Sequence, residues 1–283
     1  MEYIALNNNI KIPTLGIGAH HLDAGSLCEQ YIEEAISTGF RYIETATSFW
    51  NEKSVGIGIK NAIDKGSVNR EDLFISTKLR DDMQGYENTR IAFLESAETL
   101  SGGGVDLFSV RYPLWGEDWR TPLIDSWRAL EEFYKDGRIK ALGVCNFSIK
   151  PLEFLLEEAE IKPTINQIEL HPQYQQKEIQ NFCKTNNIVV SSWASLQYGK
   201  VCYNETIIEI ANRYNKTPAQ IVLRWHIQNG HMTVTRSTKK ERLEQNINIF
   251  DFELTNEDMA IIDNMDSSIK PIWPCLPINE NLN

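Results

Sequence analysis

Short β-rich runs alternate with helical periods along the whole chain, a pattern characteristic of parallel strands joined by crossover helices. Strands are expected at Thr14–Gly18, Arg41–Glu44, Leu73–Lys78, Val105–Arg111, Ile139–Cys145, Ile165–Leu170 and Ile188–Ser192, with a short one near Thr233–Thr235. Eight such units predict an α/β chain closed into a (β/α)8 barrel. Ahead of it, Tyr3–Leu6, a turn at Asn7-Asn8-Asn9 and Ile10–Ile12 predict a small β-hairpin across the barrel floor.

The helical spacing is clearest where stop and start signals flank it. Cys28, Tyr31, Ile32, Ala35 and Ile36 mark one buried face, and Gly39 ends that helix. Leu123, Trp127, Leu130 and Tyr134 mark another. Thr217-Pro218-Ala219-Gln220 supplies a capping hydroxyl, a proline at the first helical position and an amide three residues after the cap, so a helix starts there.

No linker, repeat or low-complexity tract divides the 283 residues, so one domain spanning 1–283 is expected. A net charge of -11 argues against general affinity for nucleic acid or anionic membranes, because such binding rests on neutralising phosphate charge. Small molecules are the expected partners. The polar segment Met1 to Lys11 lacks the apolar core of a signal sequence, and no run approaches the ~20 apolar residues of a membrane span, so a cytoplasmic location is expected. Cys28, Cys145, Cys183, Cys202 and Cys275 are odd in number and show no CxxC spacing, implying reduced thiols with neither a disulfide frame nor a zinc site.

In a barrel of this kind, reactive groups sit at the carboxyl ends of the strands, where loops vary without disturbing the packed interior. Those ends carry recognisable motifs. Gly39-Phe40-Arg41-Tyr42-Ile43-Glu44-Thr45-Ala46 with Asn51-Glu52, Gly143-Val144-Cys145-Asn146-Phe147, Asn166-Gln167-Ile168-Glu169-Leu170-His171-Pro172 and Phe250-Asp251-Phe252-Glu253-Leu254 resemble segments of the aldo-keto reductase family, in the family's order. So does Lys216-Thr217-Pro218-Ala219-Gln220 with Leu223-Arg224-Trp225, and the resemblance runs from about residue 3 to about residue 265.

The resemblance implies an NADP(H) site. Asn146 and Gln167 match the family's clamp on the nicotinamide carboxamide, Trp193 the aromatic ring stacked on the nicotinamide, and Cys145 and Leu196 neighbouring positions of that site. Arg236, Ser237, Lys239, Lys240 and Arg242 form a basic island in an acidic chain, which suits a 2′-phosphate and favours NADP over NAD. Within it, Arg236 replaces the family's usual lysine and Arg242 matches its phosphate-facing arginine. Asn246 matches an adenine contact, with Gln245 in place of a glutamate. Without the register, the same island would be a solvated helix face.

Carbonyl reduction also needs a proton, which the family draws from a tyrosine tuned by lysine and aspartate beside a histidine. Here the aspartate position is Glu44, the tyrosine position Phe49, the lysine position Lys78 and the histidine position Arg111. Phe49 has no proton to give, and a positioned general acid contributes about 10²–10⁴-fold. Arg111 is a permanent cation whose fork matches a carboxylate. Glu44 is expected to pair with Lys78, with Arg111 or with both, leaving net positive charge. His20, Trp50 and Tyr112 are expected to shape the substrate pocket, and His20 is a candidate substitute acid.

These residues predict an atypical NADP(H)-dependent oxidoreductase acting on a small, anionic substrate that arrives already polarised, such as an imine. An inactive NADP(H)-binding protein with a sensing or partner-supporting role is the alternative, in which Glu44, Lys78 and Arg111 are only a buried ion network. Conventional carbonyl reduction with His20, Glu44 or water as donor is the third reading.

Overall fold

The computed structural model describes residues 1–114 and 118–267. Eight parallel strands close into a barrel: β3 (Leu15–Gly18), β4 (Tyr42–Glu44), β5 (Phe74–Leu79), β6 (Val105–Val110), β7 (Ile139–Cys145), β8 (Ile165–Glu169), β9 (Val189–Trp193) and β10 (Met232–Thr235). β10 pairs with both β9 and β3, which closes the ring. The eight expected strands are all present, with no end displaced by more than one residue.

The hairpin is formed by β1 (Tyr3–Ala5) and β2 (Lys11–Pro13), with Ile4 opposite Ile12. Leu6 and Ile12 are buried in a cluster with Tyr42, Phe74, Leu107, Ala141, Ile165 and Met232, which lie at or near the amino ends of their strands. The hairpin therefore closes the amino-terminal mouth, as expected. Its turn is fastened by Asn7 Nδ2 donating to the Pro163 carbonyl (3.0 Å) and Asn8 Nδ2 to that of Lys140 (2.9 Å).

The helices pack outside the strands over the main apolar layer. α1 (Ser26–Thr38) buries Cys28, Tyr31, Ile32, Ala35 and Ile36 and ends at Gly39, whose φ of 114° is the left-handed conformation that a side chain would resist. α2 (Glu52–Asp64) and α3 (Tyr86–Ser101) follow, and α4 (Arg120–Lys135) buries Leu123, Trp127 and Leu130, with Tyr134 half-buried beside them. α5 (Ile149–Glu158), α6 (Lys177–Thr185) and α7 (Glu205–Tyr214) lead to α8 (Pro218–Gln228), whose start is the expected capping box of Thr217 and Gln220. α9 (Lys240–Ile247) and α10 (Asn256–Asp263) complete the described helices.

One close approach inside the barrel bears on the site above it. A Cβ on Gly16 of β3 would lie 2.3 Å from Tyr42 Cδ1, so only glycine admits the Tyr42 ring to the interior. Cys28, Cys145, Cys183 and Cys202 are free thiols, while Cys275 and most of the tail from Ser267 to Asn283 lie outside the described residues. Among the described residues, no helix is long and apolar enough to cross a membrane.

Candidate active site

The strands' carboxyl ends surround a cavity of about 660 Å³, open at the face opposite the hairpin. His20, Glu44, Phe49, Lys78, Arg111 and Tyr112 line one part of it. Cys145, Asn146, Gln167, Trp193 and Leu196 line it as well, as do Arg236, Ser237, Arg242, Gln245 and Asn246. Of the site residues expected from sequence, Trp50 and the island's Lys240 lie outside the lining.

Trp50 corrects the expected pocket. It caps the short 3-10 turn Thr47–Phe49 with a φ of 57°, a left-handed conformation uncommon for a bulky residue. Its side chain is 73% exposed and stacks on the Arg80 guanidinium, 4.5 Å from Cζ to the ring centroid. The turn thus sends Phe49 to the cavity and Trp50 to the surface.

Glu44 is the hub of the buried polar cluster. Its Oε1 lies 2.8 Å from Lys78 Nζ, and its Oε2 accepts from Gln167 Nε2 and, at 3.4 Å, from the Tyr42 hydroxyl. Both partners of the Glu44–Lys78 pair are buried. A buried ion pair holds when further hydrogen bonds satisfy the remaining lone pairs, and here they do. Tyr42 stands two residues before Glu44 on β4 and therefore on the same strand face. Its hydroxyl accepts from Ser76 Oγ at 3.3 Å, and burial first, then the Glu44 charge, holds its pKa well above the ordinary value.

Arg111 does not reach Glu44. It follows the end of β6 and pairs instead with Asp81, Nη1 to Oδ2 at 3.6 Å, while its guanidinium lies over the Tyr112 ring at 5.0 Å. Asp81 belongs to the 3-10 turn Asp81–Met83 after β5. Burial raises its carboxyl above the usual range, Arg111 pulls it down, and Asp82 pushes it up. Two carboxylates, Glu44 and Asp81, therefore face two cations, Lys78 and Arg111, and the expected surplus of positive charge among these groups is absent.

His20 packs its ring on Phe49, with centroids 4.7 Å apart, and on His21 at 3.9 Å. Burial, reinforced by the charges of His21, Lys78, Arg111 and Arg236, lowers its pKa to about 4. The ring is neutral at physiological pH, so the substitute acid expected there has no imidazolium proton to deliver.

The amides at the centre are oriented by their own partners. Asn146, with a φ of 61° just past β7, donates through Nδ2 to the Arg111 carbonyl (3.2 Å) and accepts at Oδ1 from Trp193 Nε1 (2.8 Å). Gln167 donates to Glu44 and to Ser191 Oγ (3.4 Å), and its Oε1 faces Cys145 Sγ at 3.7 Å. Arg236 is tied by Nη1 to the His21 carbonyl (3.0 Å) and Asn246 by Nδ2 to Thr235 Oγ1 (3.0 Å). Lys239 joins Arg236 and Arg242 on the lining, whereas Lys240 turns to Glu244, 3.9 Å away on the exposed face of α9. Cations together with fixed amides and an indole in one cavity fit a dinucleotide carrying a 2′-phosphate.

Sequence reasoning missed Asp81, Tyr42 and Ser76. Tyr42 carries a signal, the two-residue period from Glu44, whereas Asp81 carries none.

Comparison with known proteins agrees with this geometry. The profile of the Aldo/keto reductase family matches residues 14–267. The chain is 42% identical over 272 residues to glyoxal reductase of Bacillus subtilis (strain 168), covering 95% of each chain. It is 37% identical over 265 residues to methylglyoxal reductase DkgA of Escherichia coli (strain K12), covering 93% of each. A solved Bombyx mori aldo-keto reductase in complex with NADP superposes with a TM-score of 0.86 at 30% identity, covering 94% of this chain and 93% of that one. The chain belongs to the aldo/keto reductase family and is an oxidoreductase that uses NADP(H).

Proposed function

We propose that this oxidoreductase reduces small acceptors that arrive already electron-poor, an iminium or a vicinal dicarbonyl, and that Arg111 receives a carboxylate where the acceptor carries one. The observation behind the reading is Phe49, which lines the cavity with its ring centroid 5.7 Å from Lys78 Nζ and offers no hydroxyl between that ammonium and the space above. NADPH, when bound, supplies the hydride.

Asn146 and Gln167 would hold the carboxamide, and Trp193 one face of the nicotinamide ring between Cys145 and Leu196. Arg236, Ser237 and Arg242 would take the 2′-phosphate, with Gln245 and Asn246 at the adenine. An acceptor with a positive nitrogen or an adjacent carbonyl develops less charge on its heteroatom, so it depends less on the ~10²–10⁴-fold that a positioned acid supplies. The names of the two relatives support the dicarbonyl branch, since glyoxal and methylglyoxal are vicinal dicarbonyls.

Arg111 is held from Asp81 by 3.6 Å, longer than a hydrogen bond, and a bidentate carboxylate would bind its fork better. A cytoplasmic location fits the free thiols at Cys28, Cys145, Cys183 and Cys202. The test is a fluorescence titration with NADPH and NADP+, followed by steady-state oxidation of NADPH against panels of cyclic imines, vicinal dicarbonyls and simple aldehydes. Turnover concentrated in the first two panels supports the reading. Tight binding with no oxidation by any acceptor contradicts it and favours a sensing or partner-supporting role.

A further inference from the structure

We propose that Lys78 is itself the proton donor when the acceptor is a dicarbonyl, with Glu44 as its positioning residue. The assignment rests on the proposed function and extends it to the reacting hydrogen.

An ammonium has three N–H bonds, and two of those on Lys78 are accounted for. One is directed to Glu44 Oε1 at 2.8 Å and another to the Thr45 carbonyl at 3.3 Å. Lys78 also lines the cavity, although its side chain is only 7% exposed, and these two acceptors leave its third N–H unassigned, with Nζ 5.7 Å from the Phe49 ring centroid. The neighbouring groups are poor donors. Phe49 has no acidic hydrogen, and both oxygens of Glu44 accept from other groups. Arg111 keeps its protons at any working pH. The Tyr42 hydroxyl donates to Glu44 and is not part of the lining.

An alkylammonium, like a phenol, carries an ionisable hydrogen that can pass to a developing alkoxide. Hydride from NADPH forms the new C–H bond at the carbonyl carbon, and the C=O π pair becomes a lone pair on oxygen. That oxygen takes a proton from Nζ, leaving Lys78 a neutral amine. Solvent entering the open cavity returns the proton, so acceptor, NADPH and one proton give hydroxy-carbonyl and NADP+. Glu44 fixes Nζ by one oxygen while Gln167 and Tyr42 anchor the other, which keeps the carboxylate from following the departing proton.

The experiment compares the native protein with Lys78→Ala and Lys78→Arg, using glyoxal as acceptor and NADPH binding by fluorescence as a readout independent of turnover. In the native protein, glyoxal turnover is the precondition set by the proposed function, and its absence overturns that reading and this one together. Given native turnover, Lys78→Ala and Lys78→Arg lose on the order of 10²-fold, the low end of what a positioned acid supplies. Added methylammonium restores Lys78→Ala in proportion to its protonated concentration, and guanidinium does not. A purely structural lysine would show no such pH-dependent rescue. A native rate in either variant overturns the assignment. So does a loss in Lys78→Ala that methylammonium fails to reverse while NADPH binding stays native.

Discussion

Gln167 Nε2 donates to Glu44 Oε2 across the interior of the barrel, from β8 to β4, strands that stand four places apart in the ring of eight. The bond joins the residue expected to clamp the carboxamide to the carboxylate that holds Lys78. An aspartate at position 44 would fall one methylene short of that reach. With its amide nitrogen committed to Glu44 and its oxygen facing Cys145 Sγ, the Gln167 amide is held in one orientation at the cavity wall, which is preorganisation for a carboxamide.

Glu44→Asp is therefore expected to keep the ion pair with Lys78 and release Gln167. Loss of one hydrogen bond to a charged group, worth about 1.5–3 kcal/mol, weakens NADPH binding roughly tenfold or more. Fluorescence titration measures it, and an unchanged Kd would show that Gln167 is oriented without Glu44.

Phe49→Tyr returns a phenol to the floor of the cavity beside Lys78. Turnover of simple aldehydes is expected to rise by about 10²–10⁴-fold, the contribution of a positioned general acid, with a smaller rise for dicarbonyls and none for iminium acceptors. An equal rise with all three would mean that Phe49 limits something other than proton delivery.

Asp81 pairs with Arg111 at 3.6 Å and so competes with an incoming carboxylate for its charge. Asp81→Asn removes this internal competitor, so the KM of a carboxylate-bearing acceptor is expected to fall several-fold while that of a neutral acceptor stays put. Arg111→Met should raise the KM of the carboxylate-bearing acceptor by about 10–100-fold, the value of a hydrogen bond to a charged group. Equal effects on charged and neutral acceptors would remove Arg111 from the pocket chemistry.

Acid should destabilise the fold through its buried histidines. Burial lowers His231 from 6.5 to about 4 and, with His231 and His171 adding to the effect, holds His226 well below 6.5. Between pH 6.5 and about 4 the unfolded chain takes up protons that the folded chain refuses, so stability falls as pH drops through that window and is regained as pH rises. For His231 the loss is on the order of 3 kcal/mol, which His231→Gln should abolish while keeping a partner for Gln180. Thermal melts across that range measure the slope, and an unchanged slope in the variant would contradict the assignment.

The barrel was legible because strand and helix periods alternate without interruption, and the start of α8 because Thr217, Pro218 and Gln220 encode it locally. Strand-end residues such as Lys78, Asn146 and Gln167 could be placed at one mouth for the same reason. What was not legible depends on short turns and on contacts between separate segments. Trp50 turns outward because one residue after Phe49 adopts a left-handed backbone, a choice no spacing announces. Arg111 finds Asp81 rather than Glu44 because the turn Asp81–Met83 after β5 folds back toward the end of β6, and that turn has no periodicity to read.

The most direct measurement is single-turnover oxidation of protein-bound NADPH, followed by its absorbance after mixing with a cyclic iminium, a vicinal dicarbonyl or a simple aldehyde. The account predicts oxidation by the first two at rates about 10²-fold or more above the third, the margin a missing general acid imposes. Equal rates for all three, or bound NADPH that no acceptor oxidises, would contradict it.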